Sequence, residues 1–305
     1  MKVREGFVEV EGHRLACLAV NEHLARADEP AVVFVHGVLA SIHGWWDAVP
    51  ADFRDNRAWY ALSLPGHYPS TVPADFNAGQ VDEAWFYRVM EGALVQWLGG
   101  RQAVLVGHST GGFAALNLAI HQSPQVAGVV SVAGFHRGHW GGVEGRLLTL
   151  ASYGRWARPL FALNLAVARR SKWVQRIFAS LLAHDSRAFL RSPGGRSFIR
   201  NIRPDIERQD AAALFYLFNG ISKVEIGHRL GEIRVPCHIF AGTHDPVVPA
   251  AQSLLIAATV PHARTEVFRD VGHMPFVERA EQYFSALERA ITDITQHSHR
   301  AANAA

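Results

Sequence analysis

Cysteine is nearly missing from this chain of 305 residues: Cys17 and Cys237 are the only two. Two cysteines do not make a disulfide framework. Both sit in apolar segments and read as buried free thiols, which suits a reducing compartment. Long apolar runs are missing too. The longest candidate, 103–120, is interrupted by His108, Ser109 and three glycines, so no segment reaches the roughly 18 residues of a membrane-spanning helix. The first residues, Met1 to Gly6, carry no signal-like apolar region, and 16–20 is too short to be one. The expectation is a cytoplasmic protein. Charged residues are sparse at 19% against 49% hydrophobic, a balance that buries enough apolar surface to exclude a disordered chain. Neither Gly (26) nor Pro (14) is in excess, which excludes collagen-like and low-complexity chains. Internal repeats, P-loop and dinucleotide fingerprints, and His/Cys/Asp at metal-ligand spacing are all absent. No cofactor, nucleotide or metal is therefore implied.

What charge there is falls unevenly. The net of +3 is the difference between two opposed regions. Residues 137–234 hold 17 Lys/Arg against 7 Asp/Glu, a net of +10, while the remainder holds 13 against 20, a net of −7. A basic middle third admits three uses: a solvated helix face with Arg stems over apolar surface, a surface that docks peripherally on anionic membrane beside apolar neighbours such as Trp156, Leu160 and Phe161, or a trap for an anionic substrate. No nucleic-acid reader motif accompanies the charge, so a nucleic-acid partner is not expected.

Residues 7–20, split at Glu11-Gly12, read as a β-hairpin. Short apolar runs at 31–37, 58–62, 103–107 and 126–132, all but 58–62 rich in valine, read as buried parallel strands. Helical patterns lie between them at 80–98, stopped by Gly99-Gly100, and at 111–120. The rhythm stops at about Phe135 and returns at 235–242 and 265–268, with a closing helix over 275–294. Between lie Arg- and Trp-rich helical stretches such as 147–168 and 173–183. This pattern predicts one α/β domain, residues 1–134 and 231–295, with a helical insertion over 135–230 and a frayed tail over 296–305.

Four motifs carry chemistry. Gly107-His-Ser109-Thr-Gly111 fits G-x-S-x-G and lies between a strand and a helix, the setting of a nucleophile elbow. A serine needs a base, and the base an orienting carboxylate. Gly242-Thr-His-Asp245-Pro and Val271-Gly-His273-Met-Pro each follow a strand at its C-terminal end, where open α/β sheets place ligands. His36-Gly37-Val38 follows an earlier strand, and its Val38 N–H with that of Thr110 would make an oxyanion hole.

On these residues the chain resembles the α/β-hydrolase superfamily, and within it the cap-bearing, esterase- or lipase-like serine hydrolases with a single His-Gly-X oxyanion loop. The resemblance covers about 7–134 and 232–295. It rests on His36-Gly37, the elbow through Gly112, Asp245-Pro with Pro249, and Gly272-His273-Met-Pro. It implies a mostly parallel central sheet flanked by helices, with a helical cap. It also implies Ser109 as nucleophile, His273 as base, Asp245 as its orienter, Val38 and Thr110 as oxyanion donors, and no cofactor. Where many relatives read Asp-x-x-Gly-x-Gly after the fourth strand, this chain reads Ser63-Leu-Pro-Gly66-His-Tyr68. Serine rather than Asp at the elbow argues against the dehalogenase and epoxide-hydrolase branches. His-Gly-Val rather than His-Gly-Gly-Gly argues against the hormone-sensitive-lipase-like branch.

Plainer roles compete for the same residues. Ser109 would serve as an ordinary helix N-cap, Asp245 as a turn residue before proline, His273 as one of 17 histidines. Trp45 and Trp46 read as packing of a first helix, and Glu278 as support for the closing helix. A competing acid would follow the strand at 126–132, but Val132-Ala-Gly-Phe-His136 has no carboxylate. The expected activity is hydrolysis of a carboxylic ester of a hydrophobic small molecule through an acyl-enzyme. Two alternatives stand beside it: the same triad used for carbon–carbon bond hydrolysis, perhydrolysis or acyl transfer, and a hydrolase-fold receptor for a small molecule.

Overall fold

A computed structural model describes residues 1–46 and 49–304, with side chains to residue 300. Strands β1 (Val3–Val10) and β2 (His13–Val20) form the antiparallel hairpin, with Val10 opposite His13. Its two turn residues, Glu11 and Gly12, have φ of 49° and 78°, the sense of twist that two-residue hairpins favour. The alternating part follows as β3 (Ala31–Val35), α1 (Ala51–Asn56), β4 (Trp59–Leu62), α2 (Glu83–Leu98), β5 (Ala103–His108), α3 (Thr110–Ile120) and β6 (Val126–Val132). Helix α2 begins where the Asp82 carboxylate accepts from Trp85 N–H at 2.7 Å, and ends at Gly99, φ 62°.

Between β6 and β7 (Cys237–Gly242) the described residues form helices and turns, with one isolated bridge between Arg137 and Glu225. The helices are α4 (Gly142–Ser152), α5 (Arg158–Arg170), α6 (Lys172–Ser180), α7 (Ser186–Arg191), α8 (Pro193–Ile206) and α9 (Ala211–Ile221). The stretch read as continuous over 147–168 is broken at Gly154, whose φ of 75° leaves the helical region. This segment is tied to the sheet domain at several points. His43 Nδ1 donates to the buried Asp205 of α8 at 2.6 Å, and Tyr68 N–H donates to Gln209 at 3.1 Å.

The chain closes with α10 (Ala250–Thr259), β8 (Arg264–Phe268), α11 (Pro275–Glu278) and α12 (Ala280–Ala304). The closing helix expected over 275–294 is thus two helices, separated at Arg279, where φ is −140°. The tail expected over 296–305 is corrected as well. Helix α12 continues through 296–304, and His299 Nε2 donates to the Asp28 carbonyl at 2.8 Å. Gln, Arg and Ala sustain a helix after the apolar pattern stops. Ala305 lies outside the described residues.

The sheet order is β1-β2-β4-β3-β5-β6-β7-β8, antiparallel up to β4 and parallel thereafter. Strands β3, β5 and β6 are buried along their whole length, as helices on both faces require. The sheet separates two cores. Val33, Val35 and Leu105 face α2, α3 and the insertion helices α4, α5 and α9, while Phe34, Val104 and Val106 face Trp45, Phe53 and α12. Trp45 belongs to a single 3₁₀ turn, Ile42–Trp45, rather than to a first helix, and packs between Phe34 and Phe276.

The seat of α12 is narrow. A Cβ on Gly128 of β6 would lie 2.5 Å from Ile294 Cγ2. Gly128→Val should therefore overpack this contact and lower the unfolding free energy by about 1–3 kcal/mol. Urea unfolding followed by tryptophan fluorescence measures it. An unchanged midpoint would show that α12 does not pack against β6.

Candidate active site

Strand order reverses around β3, since the chain passes to β4 on one side and then to β5 on the other. The C-terminal ends of β3 and β5 therefore border a switch-point crevice, the place where open α/β sheets bind ligands. Ser109 follows β5 there, with φ 54° and ψ −116°, a region that L residues avoid. Its carbonyl starts α3 by accepting from Phe113 N–H at 3.0 Å, yet its side chain makes no cap hydrogen bond. The plain N-cap role is thus not the one it fills. Close contacts force the turn: a Cβ on Gly107 would lie 2.2 Å from the Gly111 carbonyl oxygen, and one on Gly37 would lie 2.9 Å from Ser109 Cβ. Glycine at 37 is what lets the loop after β3 reach the elbow. Thr110, fully buried, is the first residue of α3. Its N–H, like others in a first turn, has no acceptor within the helix.

His273 comes from the loop after β8 and Asp245 from the loop after β7. His273 Nδ1 donates to Asp245 Oδ2 at 2.7 Å, and both side chains are buried. The other carboxylate oxygen of Asp245 accepts from Val247 and Val248 N–H at 2.8 and 2.9 Å, which fixes the carboxylate plane. Burial pulls the His273 imidazole down. The charge and hydrogen bond of Asp245, joined by Glu144 and Glu278, outweigh it and raise His273 above its usual value. Glu278 does more than support a helix. Its carboxylate accepts from Gly272 N–H at 3.0 Å, Met274 N–H at 3.2 Å and, from the insertion, His184 N–H at 2.8 Å. It clamps the backbone on both sides of His273, and Leu182 O accepts from His273 N–H at 2.8 Å.

Three further histidines brace the site in neutral form. His36 Nδ1 donates to Gly37 O at 2.8 Å and Nε2 accepts from Leu64 N–H at 3.2 Å. His67 Nδ1 donates to Pro65 O and Nε2 accepts from Leu39 N–H, each at 3.2 Å. These bonds tie the loop 36–39 to the loop 63–67, the segment that departs from the common family pattern. Burial pushes His36 down to about 3 and His67 down to about 4, so both rings stay uncharged acceptors at neutral pH. His108, held well below its usual value mainly by burial, donates Nε2–H to His273 O at 2.8 Å.

Ser109, His273 and Val38 line one cavity between the sheet and the insertion. Asp245 stands behind His273, outside it. Apolar side chains form most of the wall, among them Leu147, Leu165, Phe178, Leu182, Phe198 and Ile202. Two polar groups interrupt it. Glu144 Oε2 of α4 and Gln175 Oε1 of α6 are buried and meet no donor. Burial raises Glu144 to about 6. It lies in the first turn of α4, past the Val132–His136 strand end where a triad acid would stand, so no motif marks it in the sequence. Asp210, another carboxylate of the insertion, caps α9 through the N–H groups of Ala212 and Ala213. Metal-ligand spacing is absent from the sequence, but folding brings His184, His244 and Asp270 together, with ligand atoms within 4.8 Å of one another. All three are exposed and stand outside the cavity. Among the described residues, no helix is long and apolar enough to cross a membrane.

Such a sheet, with a strained serine turn after β5 and a hydrogen-bonded Asp–His pair after β7 and β8, defines a class. The chain belongs to the α/β-hydrolase fold family, which matches residues 30–280. A protein of Escherichia coli O9:H4 (strain HS), named provisionally as carbamate hydrolase RutD, is 24% identical over 283 residues, 90% of this chain and 96% of its own. The esterase RhEst1 from Rhodococcus sp. ECU1013 is similar in fold, with a TM-score of 0.73 at 21% identity over 96% of this chain and 100% of its own. The enol-lactonase from Burkholderia xenovorans LB400 is similar in the same way, with a TM-score of 0.69 at 18% identity over 94% of this chain and 100% of its own.

Glu144 generates a pH prediction. Its folded value, about 6, exceeds its ordinary 4.5. Its contribution to stability is therefore full below about 4.5 and is lost as pH rises through 6, a loss of about 2 kcal/mol. Glu144→Gln removes this dependence. Relative to wild type, the variant should gain about 2 kcal/mol between pH 4.5 and 7.5 in denaturant unfolding. An equal difference at both pH values would show that Glu144 is solvated.

Proposed function

We propose that this chain is a serine hydrolase that cleaves a carboxylic ester of a hydrophobic small molecule through an acyl-enzyme. The observation that carries it is the His273–Asp245 hydrogen bond, 2.7 Å, behind a cavity wall shared by His273 and the strained Ser109. His273 Nε2 takes the Ser109 proton as Oγ bonds to the ester carbonyl carbon. The resulting oxyanion is held by the N–H groups of Val38 and Thr110. As the carbon–oxygen bond to the alcohol breaks, His273 returns the proton to the leaving oxygen. Water, deprotonated by the same imidazole, then releases the acid and restores Ser109. Asp245 keeps Nδ1 protonated and steadies the imidazolium without taking the proton.

The apolar wall supports a hydrophobic substrate, and the insertion over 135–230 is read as the cap that shapes its pocket. The unpartnered acceptors of Glu144 and Gln175 favour an ester that also carries a hydrogen-bond donor, because a buried acceptor without one is costly. They speak against the carbon–carbon reading with a carboxylate-bearing dienone as its substrate, because that substrate would bring an anion toward these acceptors. Arg203, the cation on the cavity wall, is already paired with Glu207 at 2.7 Å.

A panel of p-nitrophenyl esters from acetate to palmitate, with a dienone acid included, tests the reaction class. Ester turnover with no dienone cleavage is expected, and the reverse would overturn the ester reading. Ser109→Ala should cost on the order of 10⁶ in kcat, and Asp245→Asn on the order of 10⁴ with the fold intact. A loss below tenfold in either removes that residue from the mechanism. The base works only when neutral, so kcat/KM should fall with decreasing pH through a midpoint above the ordinary His value of 6.5. In Asp245→Asn, which lacks the raising charge, the residual activity should fall at lower pH. A midpoint unmoved by that substitution would contradict the pairing.

A further inference from the structure

Seven of the fifteen exposed large apolar side chains among the described residues lie between Tyr153 and Leu181, so the apolar surface is concentrated in one part of the insertion. Leu160, Leu163 and Val167 recur every three or four residues along the outer side of α5, one turn after Trp156. That spacing places them in one stripe. Trp156 is 81% exposed, Leu163 60%, and Trp173, at the start of α6, 71%. The inner side of α5 is different. Phe161, Leu165 and Ala168 are buried there, with Phe161 against Phe215 and Phe218. Phe161, grouped from sequence with Trp156 and Leu160 as an outward neighbour, is thus a core residue. Its place in the stripe is taken by Leu163 and Val167.

The charge around the stripe has one sign. Residues 145–184 contain seven Lys/Arg and no Asp or Glu. Arg155, Arg158, Arg170, Lys172 and Arg176 of this run are exposed.

We propose that the outer face of α5, with Trp156 before it and Trp173 after it, docks on an anionic lipid surface, the helix lying in the plane of the interface. An interfacial helix needs an apolar stripe, a basic polar border and aromatic residues at the headgroup level, and all three are present. A second copy of the chain is disfavoured as the occupant, because a twofold contact would set two acid-free basic runs against each other. A nucleic acid would leave the apolar stripe facing phosphates. The placement has a consequence for substrate entry. Leu165 and Ala168 of α5 and Gln175 and Phe178 of α6 line the cavity from the other side of the same helices. Docking sets this wall of the cavity against the bilayer, where a hydrophobic ester concentrates.

Flotation of the full chain with phosphatidylcholine vesicles, with and without 30% phosphatidylglycerol, tests the docking. At 0.1 M salt the protein should float with the anionic vesicles. It should be released at 1 M, where the Debye length falls from about 10 Å to about 3 Å. The double variant Trp156→Ser, Leu163→Ser should lose at least tenfold in partitioning. It should hydrolyse a soluble p-nitrophenyl ester as wild type does, since neither side chain touches the cavity. Protein that stays in the supernatant with both vesicle types at low salt overturns the proposal. So does equal binding to neutral and anionic vesicles at both salt concentrations, or a dimer in light scattering that the double variant dissociates. Flotation is read without turnover, so a failure here is distinct from a failure of the ester chemistry at Ser109.

Discussion

Everything at the site depends on holding Ser109 at φ 54° and ψ −116°. A non-glycine residue in such a region costs on the order of 1–3 kcal/mol and persists only where the surroundings over-determine it. Here they do so by close packing of backbone on backbone. Besides the Gly107 and Gly37 contacts, a Cβ on Gly111 would lie 2.2 Å from Val35 O. The elbow is therefore wedged between the ends of β3 and β5, with Ser109 N–H donating to Val132 O of β6 at 2.9 Å. A strained turn fixed by three strand ends points the hydroxyl into the crevice and denies it the capping bond that a relaxed serine would make.

Around that wedge the protein uses buried polar groups in two ways. Histidines 36, 67 and 108 are stripped of charge by burial and act as fixed donor–acceptor struts between loops. Carboxylates of Asp245 and Glu278 stay supplied with N–H donors and fix the loops that carry, or pair with, His273. Among these carboxylates the exception is Glu144, whose Oε2, like Gln175 Oε1 beside the same cavity, meets no donor. A buried polar group left in that state is expensive, and folding bears that cost on the wall of the cavity that Ser109 and His273 share.

Local signals made the fold and the centre of the site legible. Short apolar runs announced the strands, glycines at 107, 111 and 112 announced the elbow, and Asp245 and His273 each followed a strand, in the chain order that the resemblance implies. What was not legible came from contacts distant in sequence. The struts from His67 to Leu39 and from Glu278 to His184 join segments 28 and 94 residues apart, and no local pattern marks either. Glu144 lies in the first helix after β6 rather than at the strand end, and no motif marks it. The orientation of α5 needed the structure as well. Apolar residues occupy both of its sides, so periodicity alone did not separate Phe161 from Leu160. Helix α12 outran its apolar pattern because its last turns rest on helix propensity and on the His299 contact rather than on core packing.

Covalent capture of the nucleophile tests the central claim most directly. The wild-type protein is treated with a fluorophosphonate, digested, and mapped by mass spectrometry, beside the Ser109→Ala variant. The account predicts a single phosphonylated residue, Ser109, in the wild type, and no stoichiometric adduct in the variant. Modification at another serine, or a variant labelled as fast as the wild type, would contradict it.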